Sequence, residues 1–400
     1  MKNFSVNNTS FSYDCYLVDF SYRSPISWLA SQNIYPKVYW KDKHTKTTHM
    51  ALGSSLCYSD IPHIEQTQDV NLRFFGGIHF PGSTWEEELP STQFWLPRFE
   101  IVQANGKITL IAHFVNQSPD SLVFRELNPE RSIEQITPSV KISHLPSWTD
   151  WEKNVKRVLS IKDLEKIVLA RQTQFTTTAA WPLLQALEKK AESATCFAFQ
   201  FSKDSTFLGA TPETLFHRKR NVVFSEAIAG TRPRGTNEDI LAKELKSSVK
   251  DHREFNFVKK FIEKALLPLS NRLNWQEDQI LRTTSVQHLT NRATAILTPD
   301  CTDQKLLTSL HPTPAVCGTP IQKSLKFLKS LEPFQRGWYS GAIGWLGTQG
   351  ADIAVGIRSA LVTNSYLKVF AGAGIVQGSN PLKEWEELEA KIATFCRILS

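Results

Sequence analysis

Two groups of acidic side chains have the spacing to share a helix face. In Glu384-Trp-Glu-Glu387-Leu-Glu-Ala-Lys391 the i, i+3 and i+7 positions put Glu384, Glu387 and Lys391 on one side. Asp251 and Glu254 repeat the i, i+3 pair within Lys250-Asp-His-Arg-Glu254. Four carboxylates on two helices suit a hard divalent cation, because Mg²⁺ takes carboxylate oxygens, keeps several waters and is completed by substrate oxygens. One pair alone is more often a solvated helix face.

Glycines give a second signal. Ala229-Gly-Thr-Arg-Pro-Arg-Gly235, Gly337-Trp-Tyr-Ser-Gly-Ala-Ile-Gly344 and Phe370-Ala-Gly-Ala-Gly-Ile-Val-Gln-Gly378 read as loops whose N–H groups could approach an anion. Turns and bulges require glycine far more often than ligands do. Gly372-Ala-Gly374 is not a dinucleotide fingerprint, since position 377 is Gln377 and the next glycine is Gly378. Residue types and spacing therefore reach as far as a candidate anion and divalent-metal site.

The elements that must carry these groups are partly legible. Residues 1 to about 115 read as short strand-like runs, such as 72–80 and 94–102, punctuated by Gly, Pro and Ser. The polar stretch 116–148, with Pro119, Pro129, Pro138 and Pro146, reads as a surface excursion. Thr149 and Asp150 offer a cap for a helix ending near Ile161, and a strand over 166–171 follows. Periodicity then predicts a helix over 181–192, strands over 197–201 and 206–209, one long helix over 239–267 and a helix over 303–310. The end of the chain reads as strands over 341–347, 353–362 and 367–371 and a closing helix from Pro381. Connections of both hairpin and helix length, without regular βαβ alternation, predict an α+β fold with largely antiparallel sheets.

Composition sets the bounds. With 400 residues and 41% hydrophobic content, the chain can bury one large core or two smaller ones. The net charge of +7 comes from 46 basic residues mixed among 39 acids, which suits a small polyanionic substrate as well as nucleic acid. Six cysteines without a Cys-x-x-Cys pair suggest neither a zinc site nor a disulfide framework. No signal-peptide-like or membrane-spanning apolar run occurs, so a cytoplasmic protein is expected.

From about Trp151 to Lys391 the chain resembles the chorismate-utilising enzymes, which include the anthranilate, aminodeoxychorismate, salicylate and isochorismate synthases. The resemblance rests on motifs met in order: Lys166-Ile-Val-Leu-Ala-Arg171, Gly209-Ala-Thr-Pro-Glu213, Ala229 to Gly235, Lys250 to Glu254, Val286-Gln-His-Leu289, Leu310-His-Pro-Thr-Pro-Ala315, Tyr339-Ser-Gly-Ala-Ile-Gly-Trp345, Gly356-Ile-Arg358, Gly372-Ala-Gly-Ile375 and Glu384 to Lys391. It implies one large α+β (α/β) domain of two stacked, mainly antiparallel sheets flanked by helices, with the active site in a cleft. Residues 1–125 would be a strand-rich part of that fold, and 126–400 the chorismate-binding catalytic region.

Within the family, members that add water to chorismate carry lysine where amino-transferring members usually carry glutamine, and this chain has Lys166. Aminodeoxychorismate synthases carry a nucleophilic lysine where this chain has Ala229. The resemblance thus implies the isochorismate-forming branch, similar to its menaquinone- or phylloquinone-feeding group. Salicylate formation is the alternative, and a non-catalytic anion- or nucleic-acid-binding protein is the rival from another class.

The same resemblance assigns residues. Lys166 would be the base that activates water at C2, and Glu213 the acid that protonates the hydroxyl leaving C4. The base must be available neutral and the acid protonated, and burial favours the uncharged form of both kinds of group. Glu254 and Glu387 would hold Mg²⁺ directly, with Asp251 and Glu384 acting through water, on the ring carboxylate. Arg358, Tyr339 and backbone amides near Gly372 and Gly374 would take the enolpyruvyl carboxylate. Gly230 and Thr231 would line the ring, His288 would face its hydroxyl, and Lys391 would sit near the metal-bound carboxylate. Two departures stand out: Phe255 where many relatives carry histidine, and Cys317 where glycine or serine is common. A chorismate-binding monomer without nucleic-acid or membrane partners is expected.

Overall fold

The computed structural model describes residues 2–65, 70–83, 89–191, 193–235, 237–283 and 286–400. In Lys166–Phe175 the alternation of a one-faced strand is missing, and nine of its ten residues are buried. The packing explains this. Ile167 and Leu169 point into a cluster with Leu388, Ile392 and Phe395 of the closing helix, while Ala170 points the other way, toward Trp338, Tyr339 and Phe370. A strand covered on both faces needs apolar side chains at successive positions.

That two-sided burial is the plan of the molecule. Among the described residues one sheet has thirteen strands and the other ten, and their strand pairings are antiparallel. Around the site the larger sheet runs Lys37–Lys41, Thr195–Ser202, Ser205–Thr211, Ser359–Thr363, Leu367–Val376, Lys166–Phe175. The smaller runs Val286–Leu297, Val222–Pro233, Thr214–Lys219, Gly350–Val355, Ala342–Gly347, Arg73–Ile78. Between them lies an aromatic layer with Trp40, Phe75, Trp95, Phe197, Phe199, Phe207 and Trp338. Its edge-on and tilted ring pairs each contribute about 0.5–1.5 kcal/mol beyond burial itself. The helices cover the outer faces: Trp148–Leu159, Ala180–Lys190, Ile321–Leu331 and Pro381–Leu399 on the larger sheet, and Glu238–Ser247, Val249–Leu266 and Asp303–Leu310 on the smaller. The α+β architecture of two stacked antiparallel sheets is the one expected from the sequence.

Four local expectations are corrected. The helix predicted over 239–267 is two helices, broken at Ser248. That residue is extended (φ −73°, ψ 114°) and its hydroxyl accepts from Asp251 N at 3.2 Å, so a local cap outcompetes continuation. The strand predicted over 353–362 is two strands in different sheets, Gly350–Val355 and Ser359–Thr363. The run 94–102 likewise divides into Thr92–Leu96 and Phe99–Ala104, one in each sheet, around Pro97. The segments read as anion loops at 229–235 and 370–378 are largely strand, within Val222–Pro233 and Leu367–Val376. The helix predicted over 181–192 runs Ala180–Lys190; position 192 lies outside the described residues. All six cysteines are free. No described helix is long and apolar enough to cross a membrane.

Candidate active site

The chain crosses between the sheets twice at neighbouring places, and each crossing carries a candidate residue. Pro212 and Glu213 join Ser205–Thr211 of the larger sheet to Thr214–Lys219 of the smaller, and Gly356 to Arg358 make the return from Gly350–Val355 to Ser359–Thr363. The crossings are stitched together: Val355 N donates to Glu213 O at 3.0 Å, and Ala210 N to Arg358 O at 3.1 Å. Arg358 takes a left-handed backbone (φ 51°), the bend that lets the chain change sheets. Tyr339 is brought alongside because Ser340 N and Gly356 N bond across to Gly356 O and Gly341 O at 3.0 and 2.8 Å. Its ring stacks on Phe370, with centroids 5.1 Å apart.

Gly230 and Thr231 occupy a bulge. Ala229 pairs with Leu289 and Arg232 with Gln287, so Gly230 and Thr231 together face His288. Gly230, at φ +69°, has the freedom this requires. His288 Nδ1 donates to Gly230 O at 2.9 Å, and its Nε2 lies 3.3 Å from Arg358 Nη2 as the acceptor, a tautomer fixed by those partners. Burial, then the charges of Arg358 and Lys391, push the imidazole down to about 3, so it is neutral at pH 7.

Lys166 is 1% exposed, with Nζ 2.7 Å from Glu254 Oε1. This is an ion pair without hydrogen-bond alignment, and among the described residues Nζ has no other partner. A buried ammonium with idle donors is a group awaiting a ligand. Glu213 is 4% exposed, and burial pushes its carboxyl up to about 7 even though Lys166, Lys43 and Lys391 act against the rise. Burial also pushes Tyr339 up to about 12 and Arg358 down to about 10, which leaves the phenol neutral and the guanidinium charged near pH 7.

The closing helix is started by Asn380, whose side chain accepts from Leu382 N and Lys383 N, with Pro381 in the first turn. It lays Glu387 and Lys391 over the edge of Leu367–Val376, where Lys391 Nζ donates to Gly372 O at 2.7 Å and pairs with Glu387 Oε1 at 2.6 Å. Gly372 and Gly374 make room for the side chains of Tyr339, Glu254 and Lys166. A Cβ on Gly372 would stand 2.8 Å from the Tyr339 hydroxyl, and one on Gly374 would stand 2.6 Å from Glu254 Oε1 and 2.9 Å from Lys166 Cε.

One cavity of about 70 Å³ is lined by Glu213, Gly230, Thr231, Glu254, His288, Tyr339, Arg358, Gly372, Gly374, Glu387 and Lys391. It adjoins a wider cleft of about 690 Å³, lined by Thr231, Gly374 and all four candidate metal acids, Asp251, Glu254, Glu384 and Glu387. Lys166 closes the wall behind Glu254. Every candidate site residue is thus in or against one cleft. The all-oxygen donor set fits a hard cation such as Mg²⁺. Chain cations meanwhile engage three of these acids: Lys166 on Glu254, Lys391 on Glu387, and Arg232 in a two-pronged grip on Asp251 at 2.6 and 3.3 Å. Asp42, His217 and Asp352 crowd more tightly, within 4.8 Å of one another, but there His217 is driven toward its charged form by both acids and the Trp40 indole donates to Asp352 at 2.8 Å. That cluster is already compensated. Phe255 is fully buried in the core beneath the smaller sheet.

Sequence reasoning missed several supporting residues. Arg336, fully buried, donates to Val168 O at 2.6 Å and to Val316 O at 2.8 Å, and its partner Glu332 accepts from Ala170 N at 2.8 Å, so this pair holds the strand of Lys166 from its edge. The Glu332-x-x-x-Arg336 spacing hinted at a pair, but Pro333 removed the helix that would have made it meaningful. Lys43 and Glu226, described below, gave no signal.

The chain matches the family model described as chorismate binding enzyme over residues 55–400 and belongs to that family. It is 33% identical over 363 residues to the chloroplastic isochorismate synthase of Catharanthus roseus, covering 82% of this chain but 62% of that protein. Against the isochorismate synthase MenF of Haemophilus influenzae it is 30% identical, with 92% and 87% of the two chains covered. The solved structure of MenF, the menaquinone-specific isochorismate synthase from Escherichia coli, superposes with a TM-score of 0.84 at 27% identity, over 97% of this chain and 95% of that one.

Proposed function

We propose that this protein is a magnesium-dependent isochorismate synthase. The observation that carries the reading is a carboxyl held near half-protonation at neutral pH on one small cavity, together with a buried lysine of idle donors set against Glu254, which lines the same cavity. The named activities of the relatives support the same reading.

Chorismate is a dianion, and its isomerisation forms a water-oxygen bond at C2 while the C4 hydroxyl departs. Lys166 accepts the proton of the attacking water as the neutral amine, so its ammonium must first release its extra proton to solvent as the contact with Glu254 opens. Glu213, protonated, gives its proton to the departing hydroxyl, which leaves as water. Two groups whose roles oppose their ordinary charge states make the paired acid and base such chemistry needs. Arg358 and Tyr339 grip the enolpyruvyl carboxylate, a guanidinium fork being suited to a carboxylate. Neutral His288, held by Gly230 O, presents a lone pair toward Arg358 and adds no competing charge. Glu254 and Glu387 would hold Mg²⁺, with Asp251 and Glu384 behind them, and the ion would neutralise the ring carboxylate among these acids. Residues 126–400 serve as the chorismate-binding catalytic region of a cytoplasmic monomer, a state that light scattering on the purified protein checks.

The test is to incubate the protein with chorismate and Mg²⁺, separate the products chromatographically and assay pyruvate in parallel. Isochorismate without pyruvate is expected. Salicylate with equal pyruvate would move the protein to the salicylate-forming branch, and no product would sink the enzymatic reading.

A further inference from the structure

Lys43 reaches the acid from a part of the chain that carries no chemistry in the sequence. It lies in the turn between Lys37–Lys41 and Thr48–Leu52, yet its side chain is only 6% exposed. Nζ donates to the carbonyl of Pro212 and, at 2.6 Å, to Glu226 Oε2. Glu226 in turn accepts from Arg292 Nη2 at 3.0 Å, its cross-strand partner, and lies 3.8 Å from His44 Nε2. Pro212 is the first residue of the crossing and has no N–H, so its carbonyl is the one backbone group by which that point can be held. A charged donor makes the stronger kind of hydrogen bond.

We propose that Lys43 is a positioning residue for Glu213: it fixes the Pro212 carbonyl, and so the aim of the next residue's carboxyl, while Glu226 and Arg292 hold Lys43 in place. The inference rests on Glu213 being the acid. The charged groups that act on the Glu213 carboxyl are Lys166 on its strand, Lys43 in the turn, Glu226 on Val222–Pro233 and Lys391 on the closing helix; the lysines favour the carboxylate and Glu226 opposes it. Removing the charge of Lys43 and removing that of Glu226 must therefore move the titration of Glu213 in opposite directions. A residue that merely braces the fold has no such signature.

The experiment compares kcat and the pH profile of kcat/KM for the full-length wild type, Lys43→Met, Lys43→Arg, Glu226→Gln and Glu213→Gln. Lys43→Met is expected to lose about tenfold or more in kcat, since a misaimed catalytic group costs up to about a hundredfold per ångström, and to shift the alkaline limb to higher pH. Lys43→Arg is expected to recover most of kcat with the limb in its wild-type place, and Glu226→Gln to shift the limb to lower pH. Should Lys43→Met not fold, a Glu226→Gln limb at lower pH beside a Lys43→Arg limb in its wild-type place decides for the inference, and an unmoved Glu226→Gln limb overturns it. Wild-type kcat in Lys43→Met beside an inactive Glu213→Gln overturns this inference alone, as does a slow Lys43→Met with an unmoved limb. Wild-type turnover by Glu213→Gln overturns the acid assignment and this inference with it.

Discussion

The ammonium of Lys166 lies 2.7 Å from the carboxylate of Glu254 while its hydrogen-bonding capacity goes unused. The ion pair joins the candidate base to the candidate metal site. Lys166→Ala removes the base and leaves a buried void beside Glu254. Turnover should fall by about 10²–10⁴ with the circular dichroism spectrum unchanged. A rate near wild type in product chromatography would refute the assignment.

Glu254 and Glu387 line both the small cavity and the wide cleft, so the metal they would hold sits between solvent and substrate. Thorough EDTA treatment should abolish isochorismate formation and added Mg²⁺ should restore it. Glu254→Gln should raise the Mg²⁺ concentration needed for half-maximal rate. Full activity after chelation would remove the metal from the mechanism.

Glu213 titrates near 7 in the folded chain, against 4.5 for an ordinary glutamic acid. The acid must carry its proton, so kcat/KM should decline as pH rises through about 7. Stability follows from the same shift. The unfolded chain gives up this proton at a lower pH than the folded one, so the folded state loses stability between pH 4.5 and about 7, and the deficit stays constant above that. Glu213→Gln does not ionise. It should be nearly inactive yet more stable than wild type at pH 8, by up to about 3 kcal/mol, with little difference at pH 4. Melting temperatures at the two pH values check this.

What the sequence conceals is where the chain changes sheets. The strand of Lys166 was legible as a short apolar run, and the closing helix because its apolar spacing is helical and Asn380-Pro381 marks a helix start. The run 353–362 reads as one strand, and nothing in residue type shows that Arg358 turns left-handed to cross between layers. The acid at Glu213 sits on the companion crossing, so its burial could not be read from Gly209-Ala-Thr-Pro-Glu213 either. Family resemblance named both residues; only the paired crossings explain why they face one cavity. Lys43 was invisible for a related reason, since a lysine in Asp42-Lys-His-Thr-Lys46 looks like a solvated turn until the opposite sheet covers it.

Arg358 offers a fork that a lysine cannot copy, and its Nη2 also lies 3.3 Å from His288 Nε2. Arg358→Lys should raise KM for chorismate by about tenfold or more, the loss expected when a charge-assisted hydrogen bond worth about 1.5–3 kcal/mol is removed. The effect on kcat should be smaller. An unchanged KM would mean that the guanidinium does not meet the substrate carboxylate.

Gly374 tests the geometry most directly, because its requirement for glycine is one of space. Its backbone is ordinary strand, paired with Val168, so alanine brings no dihedral strain. The new methyl would stand 2.6 Å from Glu254 Oε1 and 2.9 Å from Lys166 Cε, inside contact distance of both. Lys166 is fully enclosed and cannot retreat, whereas Glu254 is 16% exposed along its side chain and can swing toward the wide cleft. Gly374→Ala should therefore fold, displace the carboxylate and cost about 10²-fold in turnover, with a weaker apparent Mg²⁺ affinity. If Gly374→Ala kept both wild-type turnover and wild-type Mg²⁺ dependence, Glu254 would not be held where the proposed mechanism needs it.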